Sequence, residues 1–122
     1  MLIAYFVVAG LAALAFLGAG IMKLARPKDT LQQSGMAYVE DFAGWQIKLI
    51  GLAEVLGAIG LILPMALSIA VILSPTAAIC LAVIMIGAIV VHIGRKEPFI
   101  PPLILLLLSV AAAVLGFLLI GA

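Results

Sequence analysis

The chain has 122 residues, of which 68% are apolar and 9% charged, and six Lys/Arg against five Asp/Glu leave a net charge of +1. Soluble domains carry about 45–50% apolar and about 25% charged residues, and so few charges cannot cover the surface of a small globule. A soluble enzyme, a nucleic-acid binder and a disordered tail are excluded, and a single domain in lipid remains.

A helix needs about 20 mostly apolar residues to cross a hydrocarbon core of about 30 Å. The first candidate runs from Leu2 to about Met22 and stops at Lys23, Arg26, Pro27 and Lys28. It lacks a basic n-region and its apolar run is long for a secretory signal, so it reads as a retained span. The loop 23–43 follows, with a short surface helix expected over Asp29 to Ser34 and Gly35 as its C′ residue. Asp41 is placed to cap the next span, and Tyr38, Phe42 and Trp45 fall where an interfacial aromatic belt would lie.

The second span runs from about Gly44 to Leu63 and is expected to close at Pro64. Residues 65–73 are apolar but too short to cross, and read as a hairpin or half-turn at the interface. Ser74-Pro75 offers an N-cap oxygen and a proline at N1 for the third span, which extends to about Ile93 before Gly94, Arg95 and Lys96. After the loop 94–101, the fourth span starts near Pro102 and runs to Ile120. With no charge, it reads as lipid-facing wall. Short connections favour an all-α, antiparallel four-helix bundle. Lys23, Arg26, Lys28 and Lys48, with Arg95 and Lys96, lie in or beside the two loops expected to be cytoplasmic, which places both termini outside.

An ionisable residue within a span costs roughly 2.5–3.5 kcal/mol on insertion scales and needs a reason. Glu54 lies about 15 Å into the second helix. Gly51, Gly57 and Ala58 stand three or four residues from it, a small-residue face that admits a neighbouring helix, so Glu54 is expected to point into the bundle. Lys23, Lys48 and His92 fall at shallower depths on the same side, which pictures a polar pocket with the acid at its floor. Lys48 is six residues from Glu54 on another helix face, so those two are not expected to pair directly. Each residue also has a plainer reading. Glu54 would fix helix packing by a hydrogen bond, the lysines would snorkel to headgroups, and His92 would meet a cap or headgroup. Cys80 has no second cysteine with which to form a disulfide. One Glu in the second span and one Cys and one His in the third make no metal-ligand spacing. No nucleophile–base pair, phosphate loop or carboxylate pair is visible, which leans away from an enzyme.

Gly20-Ile-Met-Lys23-Leu after the first span, Gly51-Leu-Ala-Glu54 in the second, and Ala77-Ala-Ile-Cys-Leu-Ala through Ile86-Gly-Ala to His92 in the third resemble the DoxX-like family. The resemblance covers nearly the whole chain. It implies a small four-helix membrane protein with Lys23, Glu54 and His92 as polar positions. That family includes a membrane subunit of a thiosulfate:quinone oxidoreductase, other redox-linked partners and a receptor-assembly chaperone, so it implies a fold more firmly than an activity.

Three functions compete. One is an accessory subunit of a membrane complex, redox complexes included, or a module holding an apolar molecule such as a quinone or lipid, whose polar end meets Glu54, Lys23 or His92. With no cofactor motif in the chain, any electrons come from a partner. The second is a proton-coupled transporter resembling small multidrug-resistance exporters, although those carry their acid in the first helix. The third is a purely structural subunit filling the lipid-facing side of a larger complex, with glycine-rich helix faces as its contacts. The expected partners are the lipid bilayer and either a larger membrane complex or, in a homo-oligomer, further copies of the chain.

Overall fold

The computed structural model describes residues 1–33 and 42–121. Five helices are present: α1 (Leu2–Ala25), α2 (Lys28–Gln33), α3 (Gly44–Leu67), α4 (Leu73–Gly94) and α5 (Ile100–Ile120). No strand occurs among the described residues. All but α2 are long and apolar enough to cross a membrane. At 1.5 Å per residue, α1 and α3 each extend roughly 36 Å, more than the hydrocarbon core. The chain is an all-α integral membrane bundle.

The spans form a ring in which α1 and α4 each pack against both α3 and α5. Neighbours are antiparallel: Gly20 lies against Gly51 and Val55 near one end, while Tyr5 meets Leu61 toward the other. In lipid the tails are as apolar as the helices, so close packing of small residues drives association. The core fits that rule, with Ala9, Ala12, Ala58, Ala78, Ala112 and Ala113 packed around Tyr5, Phe16, Leu61 and Leu81. Leu14, Val83 and Val90 face outward.

Three junctions differ from the sequence reading. The second span does not close at Pro64, because α3 continues through it to Leu67. A proline inside a helix removes one N–H and leaves the carbonyl four residues earlier without its donor. Here that carbonyl, Gly60 O, accepts from the Ser74 hydroxyl at 2.9 Å, and the Met65 N–H donates to the same Ser74 oxygen at 3.2 Å. The next carbonyl, Leu61 O, accepts from the buried Tyr5 hydroxyl at 2.6 Å. Two side chains from α1 and α4 thus repair the broken ladder. Ser74 is consequently not an N-cap: α4 begins at Leu73, with Ile72 before it and no side-chain cap. The reversal between α3 and α4 is confined to residues 68–72, where Ser68 and Ala70 adopt left-handed φ values of 54° and 48°. The last span starts at Ile100 rather than Pro102, with proline in its first turn.

The short helix α2 spans Lys28–Gln33, close to the expected position, and buries Leu31 against Ile47, Met22 and Phe42. At the start of α3 the Gln46 side chain accepts the Ala43 N–H at 2.8 Å, half of a capping box. The expected cap at Asp41, the C′ residue Gly35 and the interfacial place of Tyr38 lie outside the described residues. Trp45 is exposed at the start of α3, where an interfacial anchor belongs.

Candidate functional site

The site is built where the last turn of α1 lies against the middle of α3. Gly20 and Gly51 bring the two backbones so close that neither position has space for a side chain. One turn on, this approach sets Lys23 in the last turn of α1 opposite Glu54 on α3. The Lys23 Nζ donates to Glu54 Oε1 at 2.5 Å, with Lys23 5% and Glu54 1% exposed. Lys23 therefore turns inward and does not snorkel outward. An unpaired charge at this depth would be strongly penalised, and opposite charges in contact offset much of that cost.

Beside the pair lies a cavity of about 310 Å³. Its walls come from Lys23, from Ile50 and Glu54 of α3, from the loop-end half of α4 (Ile84 to Val91) and from Phe42. It lies on the loop side of the close contacts between α3 and α4. Toward the chain termini they touch: a Cβ at Gly60 would lie 2.9 Å from the Ala77 Cβ, and one at Gly57 would meet the Leu81 side chain. Farther toward the loops, Met85 and Ala88, which also pack on the core, line the chamber. Gly87 stands at its edge, exposed, with nothing within 4 Å of where a Cβ would project. Among the described residues the chamber lining is apolar except for the ion pair, and Phe42, packed on the Leu31 cluster, contributes to its wall.

Two other residues singled out from the sequence stand differently. Lys48 points at the end of α1, where its ammonium donates to the carbonyls of Lys23, Leu24 and Arg26 at 2.9, 2.8 and 3.1 Å. It supports the site by holding the turn that carries Lys23. His92 folds back on its own helix, Nδ1 lying 2.7 Å from Ala88 O. A carbonyl only accepts, so Nδ1 carries the proton. The ring lies near the chamber without forming its wall. Cys80 is exposed on α4, and no group of His, Cys, Asp and Glu among the described residues could hold a metal ion.

The sequence reading missed Tyr5, Ser74 and Gly87. A phenol alone in an apolar span was the available signal for Tyr5, because a buried tyrosine hydroxyl seeks a partner. Ser74 carried a signal read as a cap, and nothing in sequence marks Gly87 as the edge of a space.

The DoxX-like family model matches residues 7–114, and the chain belongs to that family. No curated protein and no solved structure matches it.

Proposed function

We propose that this protein binds an apolar small molecule with a polar end, of the kind a quinone or a lipid presents, in the chamber beside Lys23 and Glu54. It does so alone or as an accessory subunit of a larger membrane complex. The observation that carries this reading is a largely apolar cavity whose polar wall is one buried ion pair. Ligand sites combine such walls with a few placed polar groups, in volumes of about 300–1,000 Å³. At the small end of that range, the chamber suits a ring or headgroup, with any longer tail leaving past Gly87 into the bilayer. The six basic residues gather at the loop end of the bundle, which supports a cytoplasmic place for that end in a bacterial plasma membrane and outside termini.

The test is to purify wild type and Gly87→Leu in native-lipid particles and identify by mass spectrometry what each retains. A leucine at position 87 grows into the chamber mouth without displacing a helix, since that direction is open. Wild type is expected to retain a stoichiometric apolar molecule that Gly87→Leu lacks. Equal content in both removes the reading, and proton- or drug-driven flux in proteoliposomes would favour the small-exporter-like carrier instead.

A further inference from the structure

We infer that the chamber is filled sideways from the acyl-chain region and admits amphiphiles whose polar end carries no net charge. This rests on the binding role proposed above and specifies its route and its ligand class. Gly87 lines the chamber and is exposed on α4. Val83, four residues before it, and Val90, three residues after it, share its helix face and are both exposed. On a membrane span that outward face is the lipid face, and Gly87 puts no side chain between lipid and chamber. The opening is deep. Gly87 lies seven residues before Gly94, where α4 ends and Arg95 and Lys96 follow, so it is roughly 10 Å below that end. Arg and Lys beside a span mark the headgroup level, and the opening therefore meets hydrocarbon. A ligand entering there carries its polar end among lipid tails, which is costly for a net charge and far less so for a hydroxyl or carbonyl.

The chamber offers a charged end little to offset that cost. Among the described residues its charged lining is Lys23 and Glu54, one of each sign and already in contact. A phosphate brought to the pair loses on the carboxylate what it gains on the ammonium, and an ammonium meets the reverse. Two cations toward the loop end serve other groups: Lys48 donates to three carbonyls at the end of α1, and Arg95 pairs with Glu97. A hydroxyl or carbonyl end needs no counter-charge, so both qualify.

The probes are farnesol, farnesyl phosphate and farnesylamine, which share one apolar body and at neutral pH differ in the charge at its end. Each is held at the same mole fraction in detergent micelles around the full-length protein. Bound copies are read by native mass spectrometry against Gly87→Leu, which reports association with the outer surface alone. Wild type is expected to bind the alcohol at least about tenfold more tightly than either charged probe. A smaller preference, with binding still lost in Gly87→Leu, overturns the charge rule and leaves the binding role standing. No probe bound beyond the Gly87→Leu level overturns both. The route is read separately in lipid vesicles, from a nitroxide attached to Gly87→Cys in a Cys80→Ala background. Oxygen, which concentrates among acyl chains, is expected to relax it more strongly than a water-soluble nickel chelate. A chelate effect as strong as that of oxygen overturns the sideways route.

Discussion

Gly20 and Gly51 pack against each other reciprocally: a Cβ on Gly20 would stand 2.7 Å from Gly51 O, and a Cβ on Gly51 would stand 2.9 Å from Gly20 O. The obstacle on both sides is backbone, which cannot rotate away as a side-chain tip can. Alanine at either position must push α1 from α3, and overpacking of this kind costs about 1–3 kcal/mol. The same displacement draws Lys23 from Glu54. Gly51→Ala is expected to lower the thermal unfolding midpoint in detergent. Gly10→Ala and Gly18→Ala, where a new Cβ meets nothing within 4 Å, are expected to be neutral or mildly stabilising. Equal losses at all these positions would mean the crossing is looser than its geometry.

The Lys23–Glu54 pair predicts a sign change between single and double replacement. Lys23→Met strands a carboxylate in the membrane and Glu54→Leu strands an ammonium. Removing one partner of a buried pair typically costs about 3–5 kcal/mol, whereas replacing both by apolar groups of similar volume is often neutral. Each single variant is therefore expected to unfold well below wild type, and the double variant to recover most of the loss. A double variant as unstable as the sum of its singles would show that the two side chains act independently.

Ser74 and Pro64 form a second coupled pair, through Gly60 O. Ser74→Ala removes the donor to a carbonyl that the proline has already deprived of its own, and leaving such a group unsatisfied costs about 1–3 kcal/mol. Pro64→Ala restores an N–H in register with Gly60 O. Ser74→Ala is thus expected to destabilise the native chain clearly and the Pro64→Ala background much less. The readout is the difference in unfolding midpoint between the two backgrounds.

These pairs mark where sequence reasoning reached and where it stopped. The four crossings were legible because apolar length is a coarse property that survives errors of several residues at each end. The inward aim of Glu54 was legible too, since insertion cost and the glycines at its helical spacings point the same way. Pro64 misled because the local rule for proline is sound, but its penalty is offset by donors on other helices, Tyr5 lying 59 positions away in the chain. Lys48 could be assigned a face distinct from that of Glu54 but no partner, because its acceptors are carbonyls whose place depends on how α1 crosses α3. The chamber was legible as a polar locus only. Its volume depends on how α3 and α4 run on the loop side of Gly57, which no residue pattern states.

Lys48 closes the end of α1, and the last prediction concerns that role. The final carbonyls of a helix have no intrahelical donor, and a cation there also meets the negative end of the helix dipole. The Arg26 N–H serves Met22 O at 3.0 Å, which leaves the carbonyls beyond it to the Lys48 ammonium. A cation at a helix terminus contributes roughly 0.3–1 kcal/mol, and the exposure of Lys48 puts it toward the low end. Lys48→Met is therefore expected to leave global unfolding almost unchanged while speeding hydrogen exchange in the last turn of α1. Because Lys23 sits in that turn, a frayed end also loosens its hold on Glu54, and the variant is expected to retain less of any molecule bound in the chamber. Lys48→Arg keeps a cation with several donors and should preserve both properties. Unchanged exchange at the α1 terminus in Lys48→Met would place the three carbonyl contacts outside the forces that hold the site.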